Sequence, residues 1–276
     1  MMLINGERCS RIAATDRGLL YGDGLFETIA VVQKTPQFWS YHMERLQQGG
    51  ARLSLALPDQ TLLRQEAEQL IDEQWGESDE RMVLKLIITR GSGGRGYRTP
   101  EVVSPSRILS CTPDPYSPLQ RQQNSAQGVR LYRCETQLGS NPQLAGVKHL
   151  NRLEQVLARS EWSDPEIVEG ALLNQSGALI EGTMSNLFAV EQGVVYTPEL
   201  IDCGVEGVMR RVVIEQLQQH GVPVRVTTLP WQRIAKMDEL FCTNSLIGVW
   251  PIREIGELQF IAPGPVTRHC IERLLE

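Results

Sequence analysis

"GALLNQSGALIEGTMSNLFAVEQGVVYTP", residues 170–198, decides how the second half of the chain is read. Short apolar runs alternate with polar, glycine-bearing breaks at Gln175–Gly177 and Gln192–Gly193. Runs that brief, closed by turn-forming residues, match strands joined by tight turns rather than helices. The stretch is therefore expected to be a β-meander. Glu181 stands out in it, after "GALI" and before "GTMSN". A carboxylate at the edge of an apolar strand is either a solvated strand end or a group with a chemical task, such as holding a proton on a pyridinium ring. Ser185 and Asn186 either orient that carboxylate or serve only the turn.

Downstream, "CGVEGVMRRVVIEQLQQHG" places Gly204 and Gly207 in a turn that opens a helix stopping at Gly221. Backbone N–H groups of Gly207, Val208 and Met209 would then point at an anion. Glycine before a helix can equally be chain geometry alone. "VPVRVTTLP" and "ELFCTNSLIGVWPI" read as strands, and in the second Thr243, Asn244 and Ser245 offer further donors. "TRHCIERLLE" reads as a closing helix.

Upstream, "LAGVKHLNRLEQVLARS", residues 144–160, sets Lys148 in a glycine-containing lead-in to an amphipathic segment with Leu150, Leu153 and Leu157 on one face. The chain has four lysines, Lys34, Lys85, Lys148 and Lys236, so this one looks placed. An amine attacks carbonyls once its charged form is disfavoured, by burial or by a nearby cation. Arg152, one turn further along, would supply that cation. A lysine that merely caps a turn is the alternative.

In the first third, "MLINGERC" and "GLFETIAVV" read as strands, as do "RMVLKLIITRG" and "SRILSCT". "TLLRQEAEQLIDEQWG" reads as an amphipathic helix, and "SYHMERLQQGGARLSLAL" as a helix interrupted at Gly49 and Gly50. Arg45, in "HMERL", is either a surface arginine or a forked contact for an anion. The loop "TRGSGGRGYR" carries Arg90, Arg95 and Arg98 with Tyr97, a set suited to carboxylates. It lacks the Lys-Ser or Lys-Thr that closes a P-loop. The proline-rich "PDPYSP" marks a linker. The expected organisation is an N-terminal α/β domain at 1–112, a connection at 113–120 and a second domain at 121–276.

Composition narrows the class. Of the 276 residues 41% are hydrophobic and 22% charged, as in a globular protein, and no run reaches the length of a membrane span. A net charge of −6 disfavours nucleic acid as the main partner. Six scattered cysteines form no C-x-x-C, which suits a reducing, cytoplasmic setting and argues against a zinc site or a disulfide framework. "MMLINGERCS" has no basic stretch followed by an apolar run, so no signal peptide is expected. The four histidines have no Ser or Cys partner at a triad spacing, and the aspartates of "DRGLLYGDG" read as turn residues rather than metal ligands.

Taken in order, these motifs resemble the fold-type IV pyridoxal-phosphate enzymes. That group includes D-amino-acid and branched-chain aminotransferases and aminodeoxychorismate lyases. "DRGLLYGDGLFETIAV", "YHMERL", "GALIEGTMSNLF" and "GVEGVMR" are similar to its motifs and stand in the same order along nearly the whole chain. The resemblance implies a smaller N-terminal α/β domain and a larger C-terminal domain with a β-barrel-like core. It also implies a homodimer, a small-molecule substrate and pyridoxal 5'-phosphate as cofactor. By resemblance, Lys148 is joined covalently to the cofactor and Glu181 partners its ring nitrogen. Arg45, Gly207, Val208, Met209, Asn244 and Ser245 would contact its phosphate. Arg95 and Tyr97 match positions that bind a substrate carboxylate in D-amino-acid aminotransferases, there across the dimer interface. Phe26, also expected at the substrate, replaces a tyrosine of those enzymes.

"RGSGGRGY" and "GVKHLNRLEQVLAR" are similar to the lyase branch. That likeness implies conversion of 4-amino-4-deoxychorismate to p-aminobenzoate and pyruvate, with Lys148 moving the proton and Thr28 assisting the leaving group. Amino transfer on the same fold is the nearer alternative, and a non-catalytic anion-binding module the more distant one.

Overall fold

A computed structural model of the chain describes residues 2–76 and 81–274. It divides into two compact units, Met1–Pro115 with Val147–Asn151, and Tyr116–Gly146 with Arg152–Glu276.

The first unit contains β1 (Met2–Ile4), β2 (Glu7–Arg8), α1 (Arg17–Tyr21), β3 (Gly24–Val32) and β4 (Thr35–Pro36). It continues with α2 (Trp39–Leu53), α3 (Gln60–Gln74), β5 (Arg81–Thr89) and β6 (Ser106–Pro113). The strands form an antiparallel sheet in the order β2-β1-β6-β5-β3-β4. Because side chains alternate across a strand, the sheet has two unlike faces. Leu25, Ile29, Leu84, Leu86, Ile88 and Leu109 lie in one core with Met43 and Leu46 of α2 and Leu63, Leu70 and Ile71 of α3. The opposite face carries Phe26, Thr28, Lys85, Ile87, Ile108 and Ser110, all partly or fully exposed.

Helix α2 runs through Gly49 and Gly50 without the expected interruption. Both glycines are buried, and a Cβ on Gly49 would lie 3.0 Å from Leu25 Cδ2. Gly49 lets the helix approach the sheet closely, and Gly50 makes room for Leu57 of the following connection, so neither breaks the helix.

Residues 147–151 are extended and lie along β3. Phe26 N–H donates to Lys148 O at 3.1 Å, Leu150 N–H donates to Gly24 O at 3.1 Å, and Leu25 and His149 form an antiparallel bridge. The lysine segment is therefore built into the N-terminal sheet. This departs from the contiguous second domain expected at 121–276. The division after Pro115 falls within the expected connection at 113–120, and Pro118–Gln120 already form the first turn of a helix.

The second unit contains α4 (Pro118–Gln127), β7 (Val129–Leu138), α5 (Leu153–Arg159), β8 (Ile167–Asn174), β9 (Ala178–Gly182), β10 (Asn186–Glu191) and β11 (Val194–Pro198). Then come α6 (Val208–Gln219), β12 (Val224–Thr227), β13 (Leu229–Pro230), α7 (Trp231–Ile234), β14 (Glu239–Asn244), β15 (Gly248–Ile255), β16 (Leu258–Gln259) and α8 (Pro265–Leu274). The meander read from residues 170–198 is β8 to β11. Strands β10-β14-β15-β7-β8-β9 follow one another, and β9 pairs back onto β10 through Glu181 and Asn186. The ring closes, giving the β-barrel-like core that the resemblance implies. Leu131, Ala171, Leu179, Leu187, Leu240, Trp250 and Ile252 share one core, and Phe188 and Phe241 stack at 4.8 Å in another beneath α6 and α8.

A Cβ on Gly24 would fall 2.4 Å from Ile88 O and 2.8 Å from Leu150 Cδ1, so this position has no room for a side chain. Gly24→Ala is expected to lower unfolding stability by about 1–3 kcal/mol. Gly94→Ala, whose Cβ would meet nothing within 4 Å, should leave stability within about 0.5 kcal/mol of the parent. Urea unfolding of the two variants side by side checks this; equal midpoints would show that the close approach at Gly24 is unimportant.

Candidate active site

The first unit places three expected site residues together. The Lys148 ammonium lies 4.2 Å from the centre of the Phe26 ring, and Thr28 follows two residues along the same face of β3. Main-chain bonds from Phe26 and Gly24 hold the lysine segment there, so the "GDGLF" motif and the distant "GVKHL" are one structural element. Arg152 is not the helical neighbour expected for Lys148, because α5 begins only at Leu153 and residues 147–151 are extended. Leu150 likewise lies outside the helix face assigned to it.

Arg45 lies on the core side of the same strand. Its Nε donates to Glu27 Oε1 at 2.8 Å and its Nη2 donates to Glu27 Oε2. The ring nitrogen His42 Nδ1 meets the same Oε2 at 2.6 Å. Burial alone would raise the Glu27 carboxyl, but the Arg45 charge and the bonds from Arg45 and His42 hold it at about 2. Burial lowers the pKa of His42 and outweighs the opposing pull of Glu27. Neutral His42 therefore donates from Nδ1 to an ionised Glu27. A fork of this kind fixes the guanidinium plane, so Arg45 is set in orientation from below by a carboxylate the sequence reading overlooked.

The glycine-rich loop has the same construction. Asp23 accepts from Arg17 Nε and from Arg90 Nε, each at 2.8 Å. Arg17 also donates to the carbonyls of Gly96 and Tyr97 at 3.1 and 3.2 Å, and Arg90 donates to those of Leu53 and Ser54. Arg90 is buried and structural, not one of three exposed carboxylate binders. Arg98 lies 3.8 Å from Glu101, while Arg95 and Tyr97 are exposed at the loop tip. Asp16 caps α1 by accepting from Gly18 N–H. Asp16 also accepts from the Thr89 and Ser106 hydroxyls, so both aspartates of "DRGLLYGDG" tie this turn to the segments around β5 and β6.

In the second unit Glu181 is buried at the point where the barrel closes. Its Oε2 accepts from Val205 N–H at 2.7 Å and its Oε1 from Gln155 Nε2 at 3.4 Å. Gly204, at φ +85°, brings the 203–207 turn onto it; a Cβ there would lie 2.8 Å from both Ile180 Cγ2 and Leu200 Cδ2. Asn186 clamps that turn, donating to Val205 O at 2.9 Å and accepting from Gly207 N–H at 3.0 Å. The Gly207 amide is thereby committed, leaving Val208 and Met209 as the outward N–H donors of α6. Asn244 holds its own hairpin and the loop between β9 and β10: Oδ1 accepts from Leu246 and Ile247 N–H, and Nδ2 donates to Met184 O. Ser245 stands in that turn.

Ser185 does not touch Glu181 in this arrangement; it donates to Glu169 Oε2 at 2.7 Å. Glu169 is buried and also accepts from the N–H groups of Gly170, Thr183 and Met184 and from the Thr183 hydroxyl. It pins the loop between Glu181 and Asn186. Neither Glu169 nor Glu27 had a local signal, since a lone glutamate in an apolar strand looks the same whether it is solvated or surrounded by donors.

The donor set fits the pyridoxal phosphate that the resemblance implies. An amine is carried by a segment hydrogen-bonded along β3, a buried carboxylate has the chemistry to accept from a ring N–H, and a helix N-terminus offers amides for a phosphate. Gln155 Oε1, next to Glu181, is buried with no hydrogen-bond partner among the described residues. Four of the six thiols suit no nucleophilic role: burial pushes Cys134, Cys203 and Cys270 up to about 12 and raises Cys242 as well. Among the described residues no group of three or more His, Cys, Asp or Glu is placed to hold a metal, and no helix is long and apolar enough to cross a membrane.

The buried cluster gives a signed pH dependence. Glu27 has an ordinary value of 4.5 and a folded value of about 2, so its stabilisation is complete above pH 4.5 and is lost as pH falls towards 2. His42, lowered from 6.5, acts in the same direction and begins to lose its contribution below that value. Glu27→Gln is expected to cost about 3 kcal/mol at pH 7 by removing the buried charge that Arg45 and His42 bind, with the gap to the parent narrowing between pH 4.5 and 3. Urea midpoints at pH 7, 5 and 3 test it, and an equal gap at all three would exclude the ionised pair.

The family model Amino-transferase class IV matches residues 24–255. The aminodeoxychorismate lyase of Vibrio harveyi is 38% identical over 93% of this chain and 92% of its own. The D-alanine aminotransferase of Bacillus licheniformis is 26% identical over 97% and 93%. The crystal structure of 4-amino-4-deoxychorismate lyase from Pseudomonas aeruginosa superimposes with a TM-score of 0.92 at 42% identity, over 99% of this chain and 98% of that one. A match spanning both units, from the first residue of β3 to the last of β15, carries the conclusion: the chain belongs to the amino-transferase class IV family.

Proposed function

We propose that the chain is a pyridoxal-phosphate-dependent lyase that converts 4-amino-4-deoxychorismate to p-aminobenzoate and pyruvate. The observation that carries this reading is the likeness to two lyases, at 38% and 42% identity, along more than nine-tenths of both chains in each pair. The segments that set the lyase branch apart, "RGSGGRGY" and "GVKHLNRLEQVLAR", are the loop braced by Arg17 and the lysine segment bonded along β3 with the α5 that follows it.

Lys148 would hold the cofactor covalently through its amine, and Glu181, placed by hydrogen bonds from Val205 and Gln155, would hold a proton at the ring nitrogen. The amides of Val208 and Met209, with Arg45 and the Asn244–Ser245 hairpin, would take the phosphate; Gly207 contributes by shaping the turn. When bound, pyridoxal phosphate supplies an electron sink for the carbon that loses its proton. Lys148 removes the proton from the amine-bearing ring carbon of the substrate. Thr28 delivers a proton as the enolpyruvyl oxygen departs, and the remaining ring becomes aromatic. Arg95 and Tyr97 bind a substrate carboxylate, and Phe26 packs against the substrate ring. The exposed Leu153, Val156 and Leu157 of α5 support a homodimer, and the biosynthetic product supports a cytoplasmic setting.

Pure protein loaded with cofactor and given 4-amino-4-deoxychorismate should release p-aminobenzoate and pyruvate in equal amounts. Lys148→Ala should lower turnover by about 10²–10⁴-fold. D-alanine with 2-oxoglutarate, run in parallel, is expected to react slowly. Fast amino transfer with no p-aminobenzoate would replace the lyase reading with an aminotransferase.

A further inference from the structure

His220 caps the C-terminal end of α6, and His269 stands midway along α8. The two helices share one core, in which Val213 and Leu217 of α6 gather with Cys270 and Ile271 of α8. Above that core the two imidazoles meet, with ring centres 5.1 Å apart and planes inclined at 74°. His220 is exposed and His269 half-buried. Among the described residues the histidine–carboxylate pair is that of His42 and Glu27, and neither His220 nor His269 has one.

The His220 ring has a fixed tautomer. Its Nδ1 lies 2.8 Å from Gln216 O, and a carbonyl only accepts, so the proton is on Nδ1. In the neutral ring Nε2 then carries a lone pair and no proton. A main-chain carbonyl on one ring nitrogen, with the other nitrogen left as ligand, is the usual support of a metal-bound imidazole. The spacing agrees. With metal–nitrogen bonds of about 2.0–2.1 Å and a tetrahedral angle, two imidazoles on one ion have their ring centres about 5 Å apart. The end of α6 favours a cation as well, because the carbonyls of the last turn of a 12-residue helix make it negative. Arg273, four residues beyond His269, opposes a cation, but it is exposed and its charge is screened by solvent.

We propose that His220 and His269 together bind a divalent transition-metal ion, zinc in the first instance, and so clasp α8 to the C-terminal end of α6. Imidazole suits Zn²⁺, Cu²⁺ and Ni²⁺, whereas Mg²⁺ and Ca²⁺ take oxygen ligands. Two protein ligands, with water in the remaining positions, make an exchangeable site, unlike the closed four-ligand centres built into a fold. The first turn of α8 is already fixed by Glu239, which accepts from Val266 N–H, Thr267 N–H and the Thr267 hydroxyl at 3.1, 2.9 and 2.7 Å. The ion adds a second point of attachment further along the same helix. None of this depends on the reaction assigned to the protein.

Thermal unfolding of the cofactor-loaded protein, freed of metal with a chelator and dialysed, tests the site with no metal, with ZnCl2 and with MgCl2 at equal concentration. Zinc should raise the midpoint by about 2–4 °C, the mass-action effect of an ion held by the folded state, and magnesium should leave it unchanged. His220→Gln and His269→Gln, each compared with its own metal-free midpoint, should lose the shift. In titration calorimetry their zinc affinity should fall by about tenfold or more. One equivalent of Cu²⁺ on the parent should show electron paramagnetic resonance splitting from two nitrogens, and on either variant from one at most. An equal zinc shift in parent and variants, no upward shift in the parent, or a two-nitrogen copper signal kept by both variants would overturn the proposal.

Discussion

Two main-chain hydrogen bonds, Phe26 N–H to Lys148 O and Leu150 N–H to Gly24 O, carry much of this molecule's organisation. They draw five residues from the middle of the chain onto a strand of the N-terminal sheet. Without them, Lys148 would hang in a connection, with its long side chain free to sample many rotamers at an entropic cost of about 1.5–2 kcal/mol when fixed. With them, the backbone is fixed and the ammonium comes to rest over Phe26. The bonds in turn require Gly24, since any side chain there would meet both Ile88 O and Leu150. Asn151 completes the attachment by donating to Gly22 O at 3.1 Å. A glycine pair near residue 23 and a lysine 125 positions later are thus one constraint.

The same molecule repeatedly uses a buried or half-buried carboxylate as a fastener. Glu27 holds Arg45 and His42, Asp23 joins Arg17 to Arg90, Glu169 gathers the 183–185 loop, and Glu181 holds the amide of Val205. An ionised carboxylate inside a protein is costly unless its oxygens are satisfied. Each of these accepts two or more hydrogen bonds, and in three cases at least one donor belongs to a loop or turn. The desolvation cost is what makes them specific. A loop that drifted would leave a buried charge without donors, so the loop conformation is tied to the stability of the fold. Glu181 alone among them is also assigned to the cofactor, and it accepts from Val205 N–H through one oxygen and from Gln155 Nε2 through the other.

Local pattern made much of the fold legible. The alternation in residues 170–198 corresponds to β8 to β11, and the amphipathic period of residues 60–74 to α3. Strand β7, "VRLYRCETQL", escaped the reading because its polar and charged residues obscure a strand that pairs in parallel with both β8 and β15. Gly49 and Gly50 misled it, because propensity weighs a glycine against helix while close packing on Leu25 favours one. At the site, Lys148, Glu181 and the helix N-terminus stood out through scarcity, interruption and glycine placement. Glu169, Glu27 and Arg17 did not, since their roles come from partners up to 80 residues away. Arg90 was misread for the same reason: it looks like its loop neighbours until Asp23 is seen beneath it.

The sheet of the first unit shows why so much chemistry can rest on so few residues. One face is apolar and packed on two helices, so β3, β5 and β6 are held in register by the core rather than by whatever lies on the other face. The period of two then sorts the strand into two sets: Leu25, Glu27 and Ile29 are buried towards the helices, while Phe26 and Thr28 stand half-buried on the other face. The cross-strand register extends the second set to Lys85 and Ser110 without any loop. A one-residue slip would exchange the two sets and bury Lys85 in the core. The hydrophobic pattern that folds the sheet therefore also fixes which polar groups stand beside Lys148.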